Sequence, residues 1–155
     1  MKNNKNLKEF LLPGLEPKGV PDVLAKTTLP FLYNRYDQLE SLVKKNNDIG
    51  VIFMEVCRSE KPKNNFLKKV RDLANRKNIV LIFDECSSGF RENYGGLHLK
   101  YKVCPDIAMF GKALGNGYAV TSIIGKKEIM QEAQNTFISS TFWTERIGSV
   151  AALKC

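Results

Sequence analysis

Residues 80–90 read VLIFDECSSGF. Val80 to Phe83 are apolar and suit a strand buried on both faces. Two carboxylates, Asp84 and Glu85, then close the run. Acid at the end of such a strand is expected to face a cation, either a nucleotide-bound metal or a protonated ring nitrogen.

The surrounding sequence gives the strand its setting. IGVIFMEV (49–56) is a second buried-type strand, and Glu55 stands near its end. Between the two, Phe66, Leu67, Val70, Leu73 and Ala74 recur at helical spacing. They predict a helix over 66–77 with Asn64 or Asn65 as its cap. Strand, helix and strand with short connections make a βαβ unit, which implies a parallel sheet covered by helices. Downstream, PDIAMF (105–110) and AVTSIIG (119–125) predict two further strands joined by a Gly-rich bend. A short helix is expected near 126–134, an extended piece at ISST (138–141), and a last helix from about Thr144. Upstream, Asn34 as a cap predicts a helix over 35–46 with Leu39, Leu42 and Val43 on one face. Residues 1–34, punctuated by LPG, EPKG, VPD and LPF, read as a loop-rich lead-in. The last helix has no stop signal and the lead-in no strand to leave from. Both ends are therefore expected to be cut from a longer domain.

Composition bounds the possible functions. The 155 residues are 43% hydrophobic and 26% charged, which is globular rather than disordered. A net charge of +8 permits attraction to phosphates or an anionic surface. However, Lys68, Lys69, Arg71, Arg76 and Lys77 fall around the expected helix at 66–77 and read as its wet face. No nucleic-acid motif accompanies them, and no aromatics are interleaved with the charges, so no nucleic-acid partner is expected. No apolar run approaches the roughly 20 residues of a membrane span. MKNNKNLKEF is polar and does not read as a secretory leader. Cys57, Cys86, Cys104 and Cys155 form no C-x-x-C pair, and His98 is the lone imidazole, so no metal site is expected. The cysteines read as reduced thiols of a cytoplasmic protein.

Two cations compete for Asp84. A nucleotide-bound magnesium needs G-x-x-x-x-G-K-[ST] to cradle its phosphates. Gly111-Lys112 and Gly125-Lys126 lack the following Ser or Thr, and Asp106 and Val120 stand where the first glycine belongs. The alternative is the ring nitrogen of pyridoxal phosphate. That cofactor draws electrons best when a fixed carboxylate keeps its nitrogen protonated, and it needs a lysine amine for its aldehyde. MFGKALGNGY (109–118) supplies Lys112 directly after a strand, among Gly111, Gly115 and Gly117. Asp84 and Lys112 lie 28 residues apart, room for a loop and one more strand. Both can then reach the carboxyl edge of one sheet, where ligands of open α/β sheets bind.

The motifs Asp84-Glu85, Gly89-Phe90-Arg91, Gly95-Gly96, Pro105-Asp106 and Gly111-Lys112 resemble, in order and spacing, the class III pyridoxal-phosphate aminotransferases. The branch around glutamate-1-semialdehyde 2,1-aminomutase is the most similar. The resemblance runs from about residue 10 to the end and is strongest over 79–125. It implies part of the large domain of the aspartate-aminotransferase-like, fold-type I enzymes: α/β, with a mainly parallel sheet flanked by helices. It covers about a third of the family's length, without the upstream phosphate cup or the small C-terminal domain. By position, Lys112 is implied as Schiff-base lysine and proton shuttle, and Asp84 as partner of the pyridine nitrogen. Cys86 is implied to pack under the ring and Ser87 to hydrogen-bond the ring hydroxyl. SSTFWTERIGSVAAL (139–153) implies that Thr141 reaches the cofactor phosphate of the neighbouring subunit, hence a homodimer. Glu55 matches a Glu that pairs with a substrate-gating Arg. The implied partners are a small amino donor and acceptor. The rival expectation is a truncated fragment that does no catalysis alone, with exposed edges prone to association.

Overall fold

The computed structural model describes residues 19, 21–24, 27–139, 142 and 144–155. They divide into two compact units between Asn47 and Asp48.

The first unit carries a short 3-10 turn, Asp22–Leu24, and helix α1, Tyr36–Lys45. Leu39 and Val43 are its buried positions, as their spacing predicts. Its N-cap is Arg35 rather than Asn34, which sits at φ 63. No side-chain cap bond forms there. The Arg35 guanidinium pairs instead with Asp37 in the first turn at 2.7 Å, and acid at that end suits the helix dipole.

The second unit is a four-stranded sheet in the order β1 (Val51–Glu55), β2 (Val80–Asp84), β3 (Ile107–Phe110) and β4 (Ser122–Gly125). The first three strands are parallel and β4 is antiparallel to β3. Helix α2, Phe66–Lys77, is the crossover from β1 to β2 and packs on β2. Its bounds are those its apolar spacing predicts. Asn65 holds the N-cap position in a left-handed conformation and makes no side-chain cap bond. A five-residue helix, α3 (Leu97–Tyr101), precedes β3. After β4, the expected helix at 126–134 is a single turn, α4 (Lys127–Met130), continued as a 3-10 turn over Gln131–Asn135. The last helix, α5, spans Arg146–Lys154, where Glu145 accepts the N–H groups of Ile147 and Gly148.

β1 to β3 are buried on one face only, contrary to the expectation of burial on both, and β4 buries neither face. Ile52, Met54, Leu81, Phe83, Ala108 and Phe110 alternate into the core, as do Phe66, Leu67, Val70, Leu73 and Ala74 of α2. On the other face Val51, Phe53 and Ile123 are each more than half exposed. One carboxylate ties the framework together. Buried Asp106 accepts the Leu81 N–H at 2.7 Å and the Arg71 guanidinium at 2.8 Å on one oxygen, and the Lys126 amine at 2.7 Å on the other. It thus links α2, β2 and the ends of β3 and β4. Burial pushes this carboxyl up, but the Leu81 N–H, Lys126 and Arg71 outweigh it and hold it below the usual range.

Candidate active site

The parallel register lines up the carboxyl ends of three strands. Glu55 pairs with Asp84, and Asp84 with Met109. β3 ends at Phe110, and Gly111 and Lys112 follow at the same edge. The connection returns to that edge, because Ser122 pairs with Phe110.

Asp84 is half-buried, on the face opposite the core, and its Oδ1 accepts the Cys86 N–H at 2.9 Å. Lys112 opens a 3-10 turn, Lys112–Gly115, at φ 47. A residue with a Cβ costs roughly 1–2 kcal/mol in that left-handed region, and such strain gathers at functional sites. The Lys112 Nζ donates to the Ser87 hydroxyl at 2.6 Å. The Cys86 thiol packs beside Gly111, where an added Cβ would lie 3.5 Å from its Sγ. Burial pushes the Cys86 thiol up, and the neighbouring Asp84 carboxylate adds to this. The Cys155 thiol donates to the Ala113 carbonyl at 2.9 Å, joining the chain's last residue to the lysine turn.

Asp84, Cys86, Ser87 and Lys112 therefore share one edge of one sheet. Glu55 stands one strand away in register. Its Oε1 accepts from Arg58 at 3.3 Å, and its Oε2 is buried with no hydrogen-bond partner among the described residues. Thr141 lies outside the described residues.

Glu85 departs from the expectation that acid at this strand end faces a cation of a ligand. It is fully buried, on the other side of the chain from Asp84. Its carboxylate accepts from His98 and Ser88 within the protein. Strand alternation carries this signal, since consecutive residues face opposite ways. The lone His98 beside Gly95-Gly96 is the other half of it.

An anionic strand end, an amine and a hydroxyl on one carboxyl edge fit the ring end of a pyridoxal cofactor. The sequence pattern of the family Aminotransferase class-III matches residues 25–155. The chain belongs to the class III aminotransferases. It is 40% identical over 144 residues to a 3-aminobutyryl-CoA aminotransferase from Cloacimonas acidaminovorans, covering 88% of this chain and 35% of that protein. It is 44% identical over 117 residues to a glutamate-1-semialdehyde 2,1-aminomutase from Citrifermentans bemidjiense, covering 72% and 27%. The chain spans about a third of the length of the curated relatives it matches. Among solved structures it resembles an omega-transaminase from Sphaerobacter thermophilus, with TM-score 0.80 and 26% identity over 88% of this chain and 33% of that one. A transaminase solved with PLP bound gives TM-score 0.80 at 16% identity over 88% and 34%, a likeness of fold. The α/β fold with its mostly parallel sheet is thus that of solved transaminases, as the motifs implied. No helix among the described residues is long and apolar enough to cross a membrane.

Proposed function

We propose that these residues are the lysine-bearing part of the large domain of a pyridoxal-phosphate enzyme. In the whole protein they would help move an amino group, either between two small molecules or within one. The observation that carries the proposal is Lys112, held in a left-handed turn at the carboxyl edge that also bears Asp84.

Pyridoxal phosphate supplies a reactive aldehyde and an electron-withdrawing ring. Lys112 Nζ would hold the cofactor covalently and, once released by an amino substrate, carry a proton to and from the substrate carbon. The Asp84 carboxylate would keep the ring nitrogen protonated. The Ser87 hydroxyl would pass from the lysine amine to the ring hydroxyl, and Cys86 would pack against the ring. Thr141 is read as a phosphate contact across a homodimer, and Glu55 as the partner of a substrate-gating arginine. Relatives named as aminotransferase and as aminomutase support both reaction types. The aminomutase-like reading follows the larger group of named relatives. A cytoplasmic location fits the free thiols of all four cysteines.

The test is to mix the chain with pyridoxal phosphate, reduce with borohydride and map the modified peptide by mass spectrometry. The phosphopyridoxyl mass is expected on Lys112 and should vanish in Lys112→Ala. A reduced adduct spread evenly over the exposed lysines would overturn the assignment.

A further inference from the structure

The network around Glu85 has no role in the reading above. Its Oε1 accepts two bonds from His98, the backbone N–H and Nδ1–H, each at 2.8 Å. Its Oε2 accepts the Ser88 hydroxyl. Its carbonyl accepts the Gly89 N–H at 2.7 Å, and its own N–H donates to Met109 of β3 at 2.8 Å. One buried residue thus fastens both ends of the loop over 86–98. The enclosure is tight: a Cβ at Gly96 would lie 2.3 Å from His98 Nδ1 and 3.0 Å from Glu85 Oε1. Burial pushes the Glu85 carboxyl up, but the bonds from His98, Ser88 and the backbone outweigh it and hold it below the usual range. The group is therefore an ionised acceptor at neutral pH, which fixes the proton of His98 on Nδ1.

The start of this loop carries two adjacent hydroxyls with different surroundings. Ser88 is buried against Glu85, whereas Ser87 is half-buried and receives the Lys112 amine at 2.6 Å. Anchoring the Ser88 side chain and the Gly89 N–H leaves the turn between Cys86 and Gly89 little freedom. The direction of Ser87 follows from that anchoring.

We propose that Glu85 is a positioning residue for Lys112. Through Ser88 it fixes the turn at 86–89, and so holds the Ser87 hydroxyl where it captures the lysine amine. The proposal rests on the reading of Lys112 as the reacting lysine, and it adds how that amine is held at the sheet edge.

Reductive methylation of the chain without cofactor, using formaldehyde and cyanoborohydride, tests this. The rate at each lysine is read by peptide mass spectrometry, with exposed Lys77 of α2 as the internal reference. In the wild type Lys112 should react more slowly than Lys77. Ser87→Ala should raise the Lys112 rate roughly three- to tenfold, the worth of one hydrogen bond. Glu85→Gln should do the same with Lys77 unchanged, and should add nothing in the Ser87→Ala background. Ser88→Ala keeps the buried carboxylate and its His98 bonds, so it covers the case in which Glu85→Gln fails to fold. It too should free Lys112. Equal rates at Lys112 and Lys77 in the wild type would overturn the proposal. So would an unchanged Lys112 rate in Ser88→Ala, or additive effects in the double variant. A missing cofactor adduct at Lys112 with these rates intact would instead overturn the function.

Discussion

Asp106→Ala removes the carboxylate that ties four segments of the second unit together. Its Oδ2 accepts both the Leu81 N–H and the Arg71 guanidinium. A buried N–H left without an acceptor costs about 1–3 kcal/mol, and a buried ion pair broken on one side about 3–5 kcal/mol. Arg71 has 14% side-chain exposure, so water restores little of what it loses. Because one oxygen serves both donors, the two penalties overlap, and the expected loss is about 4 kcal/mol rather than their sum. Lys126, at 48% side-chain exposure, adds under about 1 kcal/mol. Urea unfolding followed by far-UV circular dichroism measures the difference, with Asp72→Ala as control. Asp72 pairs with Lys68 on the exposed face of α2, so its removal should cost no more than about 0.5 kcal/mol. Asp106→Ala falling within about 1 kcal/mol of Asp72→Ala, at an unchanged denaturant slope, would refute the reasoning.

Four further outcomes are expected. The carboxyls of Glu85 and Asp106 both titrate below their usual range. The stability they give is therefore full above their unfolded values near about 4 and is lost as pH falls through the folded ones. Urea midpoints measured from pH 6 to pH 3 should fall, and Glu85→Gln should flatten the curve. Lys112→Gly should be about 1 kcal/mol more stable than Lys112→Ala, because only glycine adopts φ 47 freely, and equal urea midpoints would remove strain from the account. Gly96→Ala should lose about 1–3 kcal/mol, since its Cβ would overlap the His98 ring; thermal melts check this. Asp84→Asn should retain the reduced cofactor adduct at Lys112 but weaken cofactor binding by about 2 kcal/mol, readable by titration.

The sequence spoke clearly where burial repeats along an element. Helix α2 begins at the first of its five apolar positions and ends within a turn of the last, and β1, β2 and β3 lie where their apolar runs lie. It spoke less clearly where contacts from elsewhere decide. LHLKY is too short to show a helical period, and α3 is fastened instead by the Glu85 carboxylate on His98. SIIG reads the same in either direction, so its antiparallel pairing was not legible. That Asp84 and Lys112 reach one sheet edge was legible from the apolar strand that precedes each. The left-handed φ of Lys112 is a property of backbone geometry, and its side-chain bond to Ser87 joins residues 25 apart, so neither shows in local residue types. The cap expected at Asn34 failed because the chain turns left-handed there and passes the position to Arg35.

The reversal of β4 has a consequence for change at the site. A parallel crossover must carry the chain back to the far edge, so its length is bound to the sheet's height. The segment between Phe110 and Ser122 leaves and rejoins the same edge. Its exposed tip at Asn116-Gly117 can lengthen or shorten, while Gly115 and Val120 on either side stay packed together and Lys112 keeps its place beside the strand. Doubling such a loop adds only about 0.6 kcal/mol of closure entropy. The protein therefore has, in the connection that carries its lysine, an exposed tip that can be exchanged cheaply, mounted on a frame that cannot.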